Sequence, residues 1–286
     1  MTINTILNGT LNILESVRRQ KIHCVLVIIT TDKTYKNVGW VHSYREPDKL
    51  GGHDPYSASK ACAELVVSSY WKSFFAPNED ALGDFSVGMA PARGGSVIGG
   101  GDWAENRIVP DAIRALASGE PLIIRNGHAT RPWQHVLELL SGYLHLGRLI
   151  HHRRAALLAE LDNKWQDGLH KLKEVCSPFN FGPLITSNKT VSTLVEEIFK
   201  YWPGSFINQT ATDAPLEVSK LNLTIDKAYH LLGWQPKWGF EETILQTVGW
   251  YRHFYHYAQG DTDAVIKITQ NQIQTYSEDL EYRINQ

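Results

Sequence analysis

Tyr56-Ser-Ala-Ser-Lys60 sits where a helix is expected to begin, and a four-residue spacing puts the phenol and the ammonium on one helical face. A lysine ammonium beside a phenol favours the phenolate and brings the tyrosine pKa down toward working pH. Such a pair is a general base for an alcohol proton. Tyr-x-x-x-Lys also arises by chance, so its weight depends on its surroundings. Twenty-five positions earlier stands Thr31, in Thr30-Thr31-Asp32-Lys33, directly after the apolar run Cys24-Val-Leu-Val-Ile-Ile29. That run reads as a fully buried strand of a parallel sheet. In open α/β sheets the carboxyl ends of strands are where ligands bind.

The elements needed to hold these groups are legible. Residues 2–20 have helical apolar spacing, with Leu7, Leu11, Leu14 and Val17. Residues 30–54 are polar and punctuated by Gly39, Pro47, Gly51 and Gly52, as in a loop. Asp54-Pro55 is a strong helix start, a capping carboxylate followed by proline in the first turn. The helix is expected to reach about residue 75 and to bury Ala61, Leu65, Cys62 and Val66. A strand follows over 85–92, then a glycine-rich loop over 94–101. Further helices are expected over 108–118, 134–149, 190–201 and 241–257, and strands over 122–125 and 179–183. Residues 151–175 are charged and read as a solvated helical excursion, with His151-His152-Arg153-Arg154 as an exposed helix end. Strand alternating with helix is the α/β pattern.

Composition narrows the class. The 286 residues suffice for one large or two modest domains. With 28 Lys+Arg against 30 Asp+Glu the net charge is −2, which argues against a nucleic-acid or membrane-surface binder. Three scattered cysteines, Cys24, Cys62 and Cys176, give no zinc spacing and suit a reducing compartment. No apolar run is long enough to span a bilayer, and no leader pattern is apparent, so a cytoplasmic location is expected.

Thr31, Tyr56 and Lys60 in this order resemble the extended short-chain dehydrogenase/reductases that modify sugar nucleotides. Further motifs narrow the likeness: Thr31-Asp-Lys-x-Tyr35, Gly51-Gly-x-Asp-Pro-Tyr-Ser57, Ile98-Gly-Gly-Gly-Asp-Trp103, Arg107-Ile-Val-Pro-Asp111, Arg131-Pro-Trp-Gln-His-Val136 and Leu232-Gly-Trp-x-Pro236. Together they are similar to the CDP-glucose branch of the 4,6-dehydratases. Related dTDP-glucose enzymes carry Asp-Glu where Asp32-Lys33 stands. The resemblance covers nearly the whole chain. It implies a Rossmann-like parallel sheet with a smaller mixed α/β substrate domain: 1–98 for the NAD-binding part, 99–286 mainly for the nucleotide sugar, the two interleaved. It implies NAD as cofactor, a nucleotide-sugar substrate and a homo-oligomer.

The roles it implies are chemically coherent. Tyr56 takes the proton of the sugar 4-hydroxyl, Thr31 hydrogen-bonds that oxygen, and Lys60 holds the nicotinamide ribose. Asp32 protonates the departing 6-hydroxyl and Lys33 assists removal of the C5 proton. An acid and a base adjacent at one strand end suit an elimination. As a base Lys33 needs a lowered pKa, which burial near other cations would supply. Arg107 and Arg131 are the expected diphosphate and nucleotide contacts, since guanidinium donates a planar pair of hydrogen bonds. Either arginine taken singly fits a surface ion pair better. Trp103 and Trp133 stack on the sugar nucleotide or pack in the core. Trp202, Trp234, Trp238 and Trp250 are assigned to packing, and His135 to a structural role.

Three features depart from the pattern. Gly99-Gly-Gly101-Asp-Trp-Ala104 formally satisfies a dinucleotide fingerprint, but Asp102 places a negative charge where phosphate belongs and Pro110 limits the following helix. That reading is rejected. A proper fingerprint is expected before Cys24, where at ~30 residues per βαβ unit about 100 residues of the expected fold are wanting. Tight NAD binding by the 286-residue chain is therefore not expected, and an unpaired edge is expected on the Cys24–Ile29 strand. Third, Arg93-Gly-Gly-Ser96-Val stands where the family has Arg-Ala-Gly-Asn-Val, so Ser96 replaces an amide on the substrate side. Two other readings stay open. One is an epimerase or reductase on the same scaffold, which has no use for the Asp32-Lys33 pair; the other is an inactive remnant.

Overall fold

The computed structural model describes residues 2–76, 87–159, 165–209 and 221–284. The chain divides into two compact units, each built from separate stretches. The first comprises Met1–Gly95, Leu140–Phe181 and Leu223–Gln235; the second comprises Ser96–Leu139, Gly182–Asn222 and Pro236–Gln286.

The first unit is organised by a parallel sheet. β1 (Cys24–Ile29) follows helix α1 (Gly9–Gln20), and β2 (Val87–Arg93) lies between β1 and the short strand β7 (Phe179–Asn180). Register runs from Cys24 opposite Val87 to Ile29 opposite Ala92, and Ala92 opposite Phe179. β2 is buried throughout, as its position in the middle of the sheet requires. Helix α2 (Pro55–Tyr70) is capped by Asp54, which accepts from the backbone N–H groups of Tyr56 and Ser57. Helix α4 (Val136–Ala159) lies close on the sheet: a Cβ at Gly88 would come 2.4 Å from Ile150. Helix α5 (Trp165–Val175) and helix α7 (Asp226–Leu232) complete this unit.

In the second unit β3 (Val97–Ile98) pairs parallel with β6 (Gln134–His135), β4 (Leu122–Ile124) parallel with β9 (Phe206–Asn208), and β5 (Thr130–Pro132) antiparallel with β8 (Asn188–Thr190). Helices α3 (Ile108–Ser118), α6 (Val191–Tyr201), α8 (Phe240–His253) and α9 (Thr262–Ile284) surround a core that includes Ile113, Ile124, Leu194, Ile198, Ile244 and Val248. At about 25 cal/mol per Å² of apolar surface removed from water, this burial is the main favourable contribution to the unit's folding.

Several expectations change. The buried side of α2 carries Ser57, Ser59, Ala61, Ala63, Glu64 and Val67, while Leu65 and Cys62 are exposed and Val66 is only half-buried. Small side chains let this helix lie close, and the one large group buried on it is a paired carboxylate. The helix expected over 134–149 continues to Ala159, so His151–Arg154 lie within it, and Arg154 Nη1 donates to the Cys24 carbonyl at 3.2 Å. The described residues within 151–175 are not a solvated excursion: Leu157, Leu169, Leu172 and Val175 are buried. Charge on one face of each helix hid the apolar face on the other. Residues 85 and 86 of the expected second strand and 160–164 of the excursion lie outside the described residues. Helices α7 and α9 were not foreseen.

Candidate active site

In the first unit the chemistry gathers at the carboxyl end of β1. Thr30 N donates to the Ala92 carbonyl at 2.8 Å and Asp32 N to the Gly94 carbonyl at 3.1 Å, so β2 and the residues after it fix this strand end. Thr31 is extended and caps a short 3-10 turn over Asp32–Thr34. Its Oγ1 donates to Asp32 Oδ1 at 2.9 Å and accepts from Lys33 N at 3.4 Å. Thr31 and Asp32 are buried, and the Asp32 carboxylate fills the space above Gly95, where a Cβ would come within 2.4 Å of all three carboxyl atoms. Burial together with the Asp32 carboxylate holds the Tyr143 phenol on α4 above its usual range.

Lys33 departs from expectation: its side chain is exposed, so the burial that would adapt it as a base is absent. It follows a residue anchored by the Gly94 carbonyl, and at three residues per turn in the 3-10 turn its side chain diverges from those of the buried Asp32 and Thr34. Its charge acts instead on Asp54, whose carboxyl is held low first by the Ser57 hydroxyl and backbone N–H, and least by Lys33.

Tyr56 and Lys60 lie on α2 as the spacing requires. Tyr56 is 40% exposed, and Lys60 is half-buried with Nζ donating to the Ile29 carbonyl at 3.0 Å. Burial lowers the Lys60 pKa, opposed by the charge of Glu64. Thus Thr31, Asp32 and the Lys60 anchor are brought to one strand end. Thr30, Glu64, Arg93 and Gly95 also belong to this strand end, although no motif in the sequence gives them a role. Glu64 was detectable as an acid four residues after Lys60 on a helix otherwise buried by small residues, and Arg93 as a charge ending an apolar strand.

The second unit holds the remaining expected residues. Trp103 is 41% exposed and packs edge-on to Tyr251 at 5.2 Å and against Phe254 at 5.0 Å. Arg114 fastens its loop, donating to the carbonyls of Trp103 and Ala104 at 3.2 Å each. Arg107 precedes α3, is exposed, and pairs with Asp102 at 3.2 Å, the surface ion pair that a lone arginine would be expected to form. Arg131 stands on β5 opposite Lys189, with Nη1 on the Thr130 carbonyl at 2.9 Å. Ser96 has φ +53° and its carbonyl accepts from Gln134 N at 3.3 Å. Trp133 is buried with Nε1 on the Lys189 carbonyl, so it packs in the core. His135 is buried, and burial lowers its pKa to about 4.

The glycine run has a packing cause. A Cβ at Gly99 would meet Val136 at 2.8 Å, and one at Gly100 would meet the Trp250 ring at 2.1 Å. These glycines admit an aromatic ring and a valine, not a pyrophosphate. Among the described residues no group of His, Cys, Asp and Glu is arranged to hold a metal ion, and no helix is long and apolar enough to cross a membrane.

Comparison with known proteins agrees with this layout. The chain is 40% identical over 254 residues to CDP-glucose 4,6-dehydratase of Salmonella typhimurium, covering 88% of this chain and 65% of that one. It is 22% identical over 280 residues to dTDP-glucose 4,6-dehydratase of Xanthomonas campestris, covering 93% and 71%. Among solved structures, dTDP-glucose 4,6-dehydratase of Bacillus anthracis in complex with NAD superposes with TM-score 0.65 at 23% identity, covering 87% of this chain and 68% of that one. UDP-glucose 4-epimerase of Thermus thermophilus in complex with NAD superposes with TM-score 0.64 at 22% identity, covering 86% and 70%. The fold is thus Rossmann-like α/β, and the chain spans just under two thirds of the length of the Salmonella enzyme. The sequence profile of the GDP-mannose 4,6 dehydratase family matches residues 1–247, and with it the chain belongs to that family.

Proposed function

We propose that this chain is the catalytic and sugar-nucleotide portion of an NAD-dependent hydro-lyase that converts CDP-glucose to CDP-4-dehydro-6-deoxyglucose and water. The observation that carries the reading is the strand end itself: Thr31 bonded to a buried Asp32, with Lys60 anchored to the residue before Thr30. The 40% identity with the Salmonella enzyme supports the choice of CDP-glucose.

NAD, when bound, supplies a hydride acceptor that is restored within one cycle. The residues present suit its nicotinamide-ribose end: Lys60 gives one of its three N–H bonds to the Ile29 carbonyl and keeps the others for ribose hydroxyls. For the pyrophosphate, the glycine run at 99–101 is unsuitable, since Trp250 and Val136 fill its space. Tyr56, exposed in the first turn of α2, takes the 4-hydroxyl proton, and Thr31 Oγ1 hydrogen-bonds that oxygen. The resulting 4-ketone acidifies the C5 proton. Asp32 donates a proton to the 6-hydroxyl, which leaves as water as the C5 proton is lost. Lys33, exposed, assists that loss through its positive charge and not as a buried base. The hydride taken from C4 then returns to C6 and a proton to C5, which gives the 6-deoxy product. In the second unit Trp103, Arg107, Arg131 and Ser96 serve the nucleotide sugar. Arg107 exchanges Asp102 for phosphate, a stronger acceptor for its paired donors.

We assign residues 1–98 to the NAD side and 99–286 mainly to the substrate side, and the protein to the cytoplasm. A homo-oligomer is part of the same reading, with the exposed Leu65 of α2 at its interface. Incubation with CDP-glucose and NAD, followed by base, tests the activity. The 4-keto-6-deoxy product gives an ultraviolet chromophore. Inversion at C4 without loss of water identifies an epimerase instead. Absence of product from a chain extended to its relatives' full length refutes the dehydratase assignment.

A further inference from the structure

Tyr56 and Lys60 are followed on the same face of α2 by Glu64, a carboxylate buried to 3% exposure. A buried carboxylate needs partners. Arg93 at the end of β2 donates from Nε to both Glu64 oxygens at 3.0 Å and from Nη2 to Oε2 at 2.5 Å. Arg93 is itself held, with Nη1 on the Tyr35 hydroxyl at 2.7 Å and on the Glu46 carbonyl at 3.0 Å. Glu64 Oε1 also accepts from the Thr30 hydroxyl at 2.6 Å.

Thr30 lies between Ile29, whose carbonyl holds Lys60, and Thr31, which caps the turn carrying Asp32. Two consecutive residues of the strand end therefore grip two same-face residues of the helix: Ile29 holds Lys60 and Thr30 holds Glu64. A slip of α2 along the strand breaks both bonds at once. The Arg93–Glu64 pair alone accounts for a satisfied buried charge; it does not call for a threonine hydroxyl beside the reacting strand end. Among the described residues the charge that acts on Lys60 is Glu64, from its own helix, and Arg93 pairs with Glu64 from β2. α1 and its preceding turn present the hydroxyl residues Thr5 and Thr10, which with Lys60 line a cavity of about 540 Å³.

We propose that Thr30 and Glu64 are positioning residues for the Tyr56–Lys60 pair, fixing the register of α2 against Thr31. The proposal rests on the dehydratase reading for what the pair does, but not for where it is held. The test uses the whole chain with ¹⁵N-labelled lysine, the Lys60 signal being assigned by Lys60→Arg, and the variants Thr30→Val, Thr30→Ser and Glu64→Gln. Glu64→Gln is expected to lower the Lys60 midpoint, because it removes the charge that opposes the effect of burial. Should that variant not fold, Thr30→Val decides, because it keeps the Arg93–Glu64 pair.

Thr30→Val is expected to move the Lys60 resonance and to cut kcat about 10-fold with little change in KM, and Thr30→Ser to restore both. A Lys60 signal and titration unchanged in Thr30→Val and in any folded Glu64→Gln overturn the proposal. Absence of product from the unmutated protein, extended to its relatives' length, counts against the dehydratase reading, and the nuclear resonance titration still decides the positioning.

Discussion

Oδ2 of Asp32 lies 2.1 Å from the point where a side chain on Gly95 would begin. The carboxylate proposed as the acid of the elimination thus occupies space that only glycine leaves. A methyl group there must expel the carboxylate from beside Thr31 or push the backbone after β2 away. Gly95→Ala is expected to cost about 1–3 kcal/mol of stability as overpacking. It is also expected to lower kcat by at least about 10-fold, a barrier increase near 1.4 kcal/mol. Denaturant unfolding and steady-state kinetics measure both. A variant with unaltered stability and kcat contradicts this account of Gly95.

Gly100 answers to an aromatic ring. Its Cβ would fall 2.1 Å from Trp250, which also stacks on Phe254 with ring centroids 5.7 Å apart. Gly100→Ala is expected to destabilise the second unit by about 1–3 kcal/mol and to change tryptophan fluorescence. If the glycines served a phosphate, the substitution would spare stability and abolish dinucleotide binding.

What the sequence disclosed and what it hid have the same physical origin. Cys24–Ile29 was legible as a strand because its run is continuously apolar, but the full burial read from that run is not found. Among the described strands it pairs only with β2, its residues are half-buried and Ile29 is 53% exposed. Helix α2 was legible because Asp54-Pro55 satisfies the first turn of a helix. Thr31, Tyr56 and Lys60 followed from their place relative to those elements. Glu64 and Arg93 were missed because charge reads as solvent-facing until a partner is known, and their partners lie 29 residues apart in sequence. The error over the α2 stripe is the same one in reverse: Leu65 looked buried by type but is exposed, while small Ala61 and Ala63 form the contact. Lys33 was placed correctly at the strand end, but exposure is decided by a turn whose direction no local pattern records.

Ser96 adopts φ +53°, a left-handed conformation that costs a side chain with a Cβ about 1–2 kcal/mol and that asparagine tolerates better than serine. Asn106, at φ +61°, shows that preference in the same unit. Ser96→Asn is therefore expected to stabilise the protein by roughly 0.5 kcal/mol and Ser96→Gly by up to about 1 kcal/mol. Because an amide offers the sugar nucleotide both a donor and an acceptor, Ser96→Asn is also expected to lower KM, while Ser96→Gly raises it. Equal KM values for the two variants would confine the role of position 96 to the backbone.

His135 supplies a pH dependence. Its ring is buried edge-on to Trp238 at 4.9 Å, and Nδ1 accepts from Leu137 N at 3.3 Å, which puts the proton on Nε2. Burial lowers its pKa from 6.5 to about 4, so the folded protein keeps the ring neutral while the unfolded chain takes up a proton first. The stabilisation is therefore complete above the unfolded value of 6.5 and is lost as pH falls toward about 4. Between about pH 7 and pH 5 the loss amounts to about 2 kcal/mol. His135→Asn retains an acceptor for Leu137 N–H and removes the titration. Urea unfolding at the two pH values is expected to give the variant the shallower fall, by about 2 kcal/mol. Carboxylate titrations are common to both proteins and cancel in the comparison, so parallel falls would mean that His135 does not stay neutral in the fold.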